Sequence, residues 1–283
     1  MELKSLTYQS SSISYRVTGK GKTVVLLHGF GEDGEIWNDQ VQYLKNDFRV
    51  LVPDLPGSGR SEMISDMSIE GMAEVVKEML NIELQKFPLL EHPDHFGKGA
   101  EGVIGHSLGG YITLAFAEKY PDLLHAFGLV HSSAFADGEE KKSARLKSIE
   151  FIQNNGAYKF LKTSIPGLFR CQDGSKPSDT YIAGLMNNLI EKGHQFTPEA
   201  LIQYYKAMMA RPDRTAVLKN FNGPVLFIIG KHDMAVPFPQ SLQQCYLPAQ
   251  SHVHILRNSA HMGMLEETGG VNIMLKHFLD HVI

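Results

Sequence analysis

The chain has 283 residues, of which 43% are hydrophobic and 20% charged, and 27 Lys and Arg against 31 Asp and Glu leave a formal charge of −4. This composition is typical of a globular protein and argues against a disordered chain and against a nucleic-acid or anionic-membrane partner. No apolar run approaches the roughly 18 residues of a membrane span, and the amino terminus lacks a signal-peptide pattern. Because only Cys171 and Cys245 are present, we expect a cytoplasmic protein in a reducing compartment.

Apolar runs alternate with helical patterns along most of the chain. Residues 3–17 predict an antiparallel hairpin. Continuous apolar runs follow, typical of parallel strands covered on both faces: Thr23–His28, Arg49–Pro53, Ala126–Val130, Val225–Ile229 and, more weakly, Val253–Leu256. Helical patterns between them cover 68–86, 108–120, 239–246 and 270–282. The sequence therefore predicts an α/β fold with a mostly parallel, doubly wound sheet.

The alternation breaks between residues 134 and 219, which carry helical patterns and no strand signal. Thr197 followed by Pro198 is typical of a helix start, and Pro212 prevents that helix from continuing. We expect residues 134–219 to form a helical cap, or lid, here called the insertion. The core then consists of residues 1–133 and 220–283.

The pentapeptide Gly105-His106-Ser107-Leu108-Gly109 has the pattern G-x-S-x-G and lies between a short apolar segment and a helical run. In this context the pattern predicts a sharp strand-to-helix turn that exposes the Ser107 hydroxyl. A serine nucleophile needs a base, which in turn is oriented by an acid. Asp233 and His261 each follow a predicted strand, so they can converge with Ser107 at one sheet edge. Asp122 and Asp137, on either side of the run Ala126–Val130, are the alternative acids.

The segment His28-Gly29-Phe30-Gly31 follows the first central strand. Its glycines allow a backbone turn that can direct a main-chain N–H toward the serine. We therefore predict that the N–H groups of Phe30 and Leu108 form an oxyanion hole, which stabilises charge on a carbonyl oxygen.

These motifs, together with D-L-P-G-S-G-R-S at 54–61, G-K-H-D at 230–233 and S-A-H-M at 259–262, resemble those of the α/β-hydrolase superfamily, and more narrowly its lid-bearing serine esterases. The resemblance implies that Ser107 is the nucleophile, His261 the base and Asp233 the acid. It implies a small acyl substrate, ester hydrolysis through an acyl-enzyme, and no cofactor. Thioester, amide or carbon–carbon bond hydrolysis uses the same triad, and a ligand-binding receptor of this fold with little turnover is the alternative from another class.

Two further groups of residues are candidates for roles in binding. Candidate walls of the substrate pocket are Trp37, Phe135, Met234 and Met262. Three pairs of histidines have chelating spacings, namely His92 with His95, His252 with His254, and His277 with His281. Because none lies in an H-E-x-x-H motif or beside a cysteine pair, we interpret them as solvated or hydrogen-bonded histidines and predict no metal site.

Overall fold

The computed structural model describes residues 1–85, 100–171 and 179–282. Its eight strands are β1 (Glu2–Tyr8), β2 (Ser11–Thr18), β3 (Thr23–Leu27), β4 (Arg49–Pro53), β5 (Ala100–His106), β6 (Leu124–Val130), β7 (Val225–Gly230) and β8 (Ser251–Leu256). They form one sheet in the order β1-β2-β4-β3-β5-β6-β7-β8. The first two pairings are antiparallel, and the other five are parallel. The predicted hairpin and mostly parallel sheet are confirmed.

The described helices are α1 (Asn38–Leu44), α2 (Ile69–Gln85), α3 (Leu108–Lys119), α4 (Glu139–Asn155), α5 (Ala157–Ser164), α6 (Thr180–Lys192), α7 (Pro198–Ala210), α8 (Thr215–Asn220), α9 (Phe238–Cys245), α10 (Gly263–Glu266) and α11 (Thr268–Val282). The helices α2, α3, α9 and α11 confirm the four helical patterns outside the insertion to within two residues at each end. The helices α1, α8 and α10 were not predicted because seven, six and four residues are too few to establish a periodicity. Within the described ranges, no helix combines the length and the apolar character needed to cross a membrane.

The core of the molecule is the sheet sandwiched between helices. Every residue of β3, β4 and β7 is buried, which explains why these strands read as continuous apolar runs rather than as alternating ones. Each large apolar side chain buried here contributes about 1.5–3 kcal/mol relative to exposure. Ten of the twelve residues of α3 are buried as well, so α3 is a helix that is apolar on all sides because other elements surround it.

The central strand β5 is longer than its sequence suggests. The charged, glycine-rich segment before Val103 predicts a short strand, but β5 has seven residues and includes Glu101 and Gly102. The prediction was wrong because backbone pairing extends the strand on both sides: Gly102 pairs with Val24 of β3 and with Ala126 of β6.

The chain between β6 and β7 confirms the helical insertion. The described residues of 134–219 contain α4 to α7, all but the last residue of α8, and short 3-10 turns, and they contain no strand. Thr197 caps α7 as predicted, since its hydroxyl oxygen accepts a hydrogen bond from the Ala200 N–H at 3.2 Å and Pro198 is the first helical residue.

Candidate active site

Five neighbouring strands end at the same edge of the sheet and carry the candidate site. The strands β3, β5, β6, β7 and β8 lie side by side. The loops after them contain, in that order, His28, Ser107, His131, Asp233 and His261. In open α/β sheets this is the edge at which ligands bind.

Ser107 forms a sharp turn between β5 and α3, with φ 50° and ψ −113°. Strained backbone of this kind costs about 1–3 kcal/mol and persists only where its surroundings enforce it. The Ser107 N–H donates to the Val130 carbonyl at 3.0 Å. A Cβ on Gly105 would lie 2.2 Å from the carbonyl carbon of Gly109, and one on Gly109 would lie 2.5 Å from the Leu27 oxygen. Both glycines are therefore required, and Ser107 is the one partly exposed residue within 102–117.

The His261 ring is held by Asp233. Its Nδ1–H donates to Asp233 Oδ2 at 2.8 Å, which leaves Nε2 as the nitrogen that can exchange a proton with a substrate or a hydroxyl. The other carboxylate oxygen, Oδ1, accepts from the N–H groups of Ala235 at 2.8 Å and Val236 at 2.9 Å. Burial raises the pKa of Asp233, but the charge of His261 and hydrogen bonds from His261 and His131 lower it by more. The pKa therefore lies well below its usual range. Asp233 is therefore ionised.

A second histidine, His131, also contacts Asp233 and was not identified from the sequence. Its Nδ1 lies 3.3 Å from Asp233 Oδ2, and its Nε2 accepts from the Gly263 N–H at 3.2 Å. Because Nε2 is an acceptor, Nδ1 carries the proton and the ring is neutral. Burial lowers the pKa of His131 to about 4, in agreement with this tautomer. The one feature of the sequence that could have indicated a role for His131 is its position directly after β6, the strand that neighbours β5.

The two N–H groups proposed for the oxyanion hole belong to the residue after Ser107 and to the loop after β3. Leu108 is the first residue of α3, where a backbone N–H has no acceptor within the helix. Phe30 lies between Gly29 and Gly31, and Gly31 has φ 70°. A Cβ on Gly29 would lie 3.2 Å from Ser107 Cβ, so the loop packs directly against the turn that carries the serine.

Aromatic side chains of the insertion cover the loop after β3. The Phe30 ring stacks on Tyr205 of α7 with centroids 4.4 Å apart, and Phe160 of α5 meets Phe30 edge-on at 6.3 Å. Tyr204 also contacts the Phe30 ring, and its hydroxyl donates to the Pro56 carbonyl at 2.6 Å. Such pairs contribute about 0.5–1.5 kcal/mol each beyond the area that they bury.

The insertion also contacts the loop that carries the histidine. The His261 N–H donates to the Leu168 carbonyl at 2.9 Å, and Leu168 ends a 3-10 turn that follows α5. The insertion therefore contacts the candidate site from two sides, through rings at Phe30 and through main chain at His261.

The predicted pocket residues differ in exposure. Trp37 and Met262 are fully buried in the core, and Met234 is 81% exposed. Phe135 is partly exposed, and its carbonyl accepts from Arg211 at 3.0 Å. A role for these four residues in binding stays a prediction.

The alternative acids occupy other surroundings. Asp137 is buried and forms ion pairs with Arg145 at 2.6 Å and Arg211 at 3.1 Å. Asp122 is exposed in a turn before β6, and therefore at the opposite edge of the sheet from Ser107. Of the three carboxylates, Asp233 is the one that the structure places against His261.

The described histidines show one cluster with the composition of a metal site. The ligand atoms of His131, Asp233 and His261 lie within 4.8 Å of one another. However, both imidazoles direct a protonated Nδ1 at the carboxylate, so these nitrogens present hydrogens rather than lone pairs. Of the predicted pairs, His281 donates to the His277 carbonyl at 2.8 Å. His252 and His254 alternate with exposed residues on the edge strand β8, and His92 and His95 lie outside the described residues.

Three features of this structure together define the α/β-hydrolase class. They are the eight-stranded, mostly parallel sheet, the serine on a strained strand-to-helix turn, and a His–Asp pair at the same edge of the sheet. The model of the alpha/beta hydrolase family matches residues 24–272. The chain belongs to this family, which confirms the resemblance seen in its motifs, and it is a hydrolytic enzyme.

Known proteins similar to this chain include esterases. A pimeloyl-[acyl-carrier protein] methyl ester esterase from Nitrosomonas europaea is 26% identical over 229 residues, which span 80% of this chain and 83% of that protein. A protein from Agrobacterium fabrum that carries the provisional name carbamate hydrolase is 26% identical over 275 residues, 93% of this chain and 95% of that protein. A thermophilic esterase from Thermogutta terrifontis superposes with a TM-score of 0.86 at 25% identity, covering 100% of this chain and 99% of that one.

Proposed function

We propose that the protein hydrolyses a small carboxylic ester through a covalent acyl-enzyme, with Ser107 as nucleophile, His261 as base and Asp233 as the acid that orients it. The observation that carries the proposal is the 2.8 Å hydrogen bond from His261 to Asp233, on the same sheet edge as a serine on a strained turn. The named esterases among the similar proteins support an ester as the substrate.

The proposed reaction has two half-reactions. His261 Nε2 takes the proton of Ser107 Oγ as that oxygen bonds to the carbonyl carbon, and the π electrons move to the carbonyl oxygen. The N–H groups of Phe30 and Leu108 stabilise this oxyanion. When the tetrahedral intermediate collapses, the bond to the alkoxide breaks and His261 returns the proton to the leaving oxygen. In the second half-reaction a water oxygen bonds to the acyl carbon while His261 Nε2 takes its proton. The bond to Ser107 Oγ then breaks, the acid leaves, and His261 returns the proton to Oγ.

We further propose that the insertion, residues 134–219, is a cap that shapes the acyl pocket above a core of residues 1–133 and 220–283. The aromatic contacts of Tyr205 and Phe160 with Phe30 support this division, because Phe30 is one of the two proposed oxyanion donors. We place the enzyme in the cytoplasm, since Cys171 and Cys245, both within the described residues, form no disulfide with each other.

The test is Ser107→Ala assayed on short-chain p-nitrophenyl esters. We expect kcat to fall at least about 1000-fold with little change in the melting temperature. We also expect a fluorophosphonate probe to label the wild type and not the variant. Ser251→Ala is the matched control, because this serine lies on the edge strand β8, where its hydroxyl donates to the Cys245 carbonyl at 2.7 Å. Equal, slow turnover by the wild type and Ser107→Ala would refute the esterase and favour a ligand-binding receptor.

The similarity to a protein provisionally named as a carbamate hydrolase supports a second candidate, cleavage of a carbamate or amide C–N bond by the same groups. A substrate panel that varies the leaving group at constant acyl chain separates the two. A higher kcat/KM for the carbamate or amide than for the matched ester would favour the second candidate. Adding a thioester to the panel tests thioester hydrolysis, another acyl-transfer reaction that the same triad can catalyse.

A further inference from the structure

A buried pair of charged side chains lies behind the proposed catalytic groups. Glu32 is 2% exposed and His106 is fully buried. His106 Nδ1 lies 3.0 Å from Glu32 Oε2, and His106 Nε2 lies 3.0 Å from the backbone oxygen of His261. His106 is the residue before Ser107, and neither it nor Glu32 has a role in the mechanism proposed above.

The contacts determine the protonation state of His106. A backbone carbonyl oxygen can only accept, so Nε2 must carry a hydrogen. Glu32 Oε2 also accepts from the Gly29 N–H at 2.7 Å. The pKa of Glu32 is lowered, and an ionised carboxylate can only accept, so Nδ1 carries a hydrogen as well. Although burial lowers the pKa of His106, the charge of Glu32 and its hydrogen bond raise it above its ordinary value. Burial raises the pKa of Glu32, and His106 lowers it by more.

The pair joins three segments that the mechanism needs in fixed relation. Through Gly29, Glu32 holds the backbone that precedes the oxyanion donor Phe30. Through the main chain, His106 is part of the turn that carries Ser107. Through Nε2, it holds the carbonyl of His261.

Other ionisable groups face this pair. The rings of His261 and His131 lie 4.9 and 5.9 Å from the His106 ring, and the charge of Asp233 also raises the pKa of His106. Asp233, however, accepts hydrogen bonds from both of those histidines. Glu32 is therefore the carboxylate in contact with His106.

We propose that the Glu32–His106 ion pair is a positioning device that aligns the oxyanion hole with the base, and that it does so only while His106 is charged. A neutral imidazole has a single N–H. On deprotonation, either Glu32 or the His261 carbonyl would face a nitrogen lone pair, and that contact would become repulsive. The inference rests on the proposed function, because it assigns to the pair the alignment of Phe30 and His261 around Ser107.

Glu32→Gln tests this inference. Without the carboxylate charge His106 loses a proton more readily, and because Nε2 keeps its hydrogen for the His261 carbonyl, Nδ1 becomes an acceptor. Glutamine would then have to present its oxygen to the Gly29 N–H and its NH2 group to His106 Nδ1 at the one position where Glu32 Oε2 meets both. We expect kcat for a small ester to fall about 10- to 100-fold, the effect of misplacing reacting groups by about 1 Å, with KM within about threefold. Because His106 loses its counter-charge, we expect the alkaline limb of kcat to move to lower pH by about one unit or more.

Two further variants make the test specific. Glu35→Gln removes a carboxylate from the same segment, one that is 51% exposed at the side chain and pairs with Lys192, and we expect it to leave kcat and its pH profile unchanged. Glu32→Asp keeps the charge but shortens the side chain. It should lower kcat, but the alkaline limb of kcat should stay closer to that of the wild type than in Glu32→Gln. A purely structural role for Glu32 would not require this difference in pH profile between the two variants.

A measurement on the wild type covers the case in which Glu32→Gln does not fold. The 15N chemical shifts of the His106 ring at pH 7.5 should show both nitrogens protonated, and a neutral ring would overturn the inference. Wild-type kcat and an unshifted pH profile in Glu32→Gln would also overturn it. Should Ser107→Ala retain activity, the proposed function fails. Should Ser107→Ala be inactive while Glu32→Gln behaves as wild type, only the present inference fails.

Discussion

The substitution His131→Asn should remove much of the acid sensitivity of the fold. Burial lowers the pKa of His131 from 6.5 to about 4. Between these two values the unfolded chain binds a proton that the folded protein does not, so the free energy of unfolding decreases as the pH falls through this window. A pKa difference of this size corresponds to about 3 kcal/mol, fully lost near pH 4. The pKa of Asp233 is lowered as well, but its contribution is lost at lower pH, because its unfolded pKa is already near 4.

Asparagine suits position 131 for two reasons. His131 has φ 49°, a left-handed conformation that asparagine tolerates better than most residues. The asparagine amide can also replace Nδ1–H as a hydrogen-bond donor to Asp233, so the neutral contact is retained without a titrating group.

The assay is urea unfolding at a series of pH values from 8 to 4.5. Over this range we expect the wild type to lose about 2–3 kcal/mol more unfolding free energy than His131→Asn. The control is His194→Asn, since the His194 side chain is 60% exposed and the same substitution there should leave the pH dependence as in the wild type. Parallel curves for the wild type and His131→Asn would refute the assignment of a buried, neutral imidazole, as would an equal flattening by the control.

Three substitutions test the packing of the turn and of the insertion. Gly105→Ala places a Cβ 2.2 Å from the backbone of Gly109, so we expect a loss of about 3 kcal/mol or more in thermal unfolding; a wild-type melting temperature would contradict the turn geometry. Gly184→Ala, in α6 with nothing within 4 Å of the added Cβ, should instead stabilise by about 0.5–1 kcal/mol, and destabilisation would contradict the open surroundings. Tyr205→Leu removes the ring stacked 4.4 Å from Phe30. It should lower the free energy of unfolding by about 1 kcal/mol and weaken transition-state stabilisation by a similar amount, which appears as a roughly fivefold drop in kcat/KM. Unchanged kinetics would mean that the stack does not position Phe30.

The sequence predicted the architecture because its signals are local. Continuous apolar runs identify buried parallel strands, and Gly105 is required by a backbone contact with Gly109, four residues further on. The short helices α1, α8 and α10 carry no such signal. Their residues form helices because of the surfaces they pack against, and a length of one or two turns leaves no periodicity to detect.

The partners of the candidate triad could not be predicted in the same way. His131 and Asp233 are 102 residues apart, and Glu32 and His106 are 74 apart. Nothing in the residue types requires these pairs to meet. The order of the strands brings them together, and the charged state of His106 follows only once both of its acceptors have been located.

The hydrogen bond from the His261 N–H to the Leu168 carbonyl bears on how enzymes of this design diverge. Both atoms belong to the main chain, so the insertion can exchange its side chains for a new ligand without losing its attachment to the histidine loop. For this contact, the length and backbone path of the chain near Leu168 therefore matter more than the identity of the residue. A foreign insertion grafted onto this core should support turnover when it restores a carbonyl at that point, whatever residue carries it.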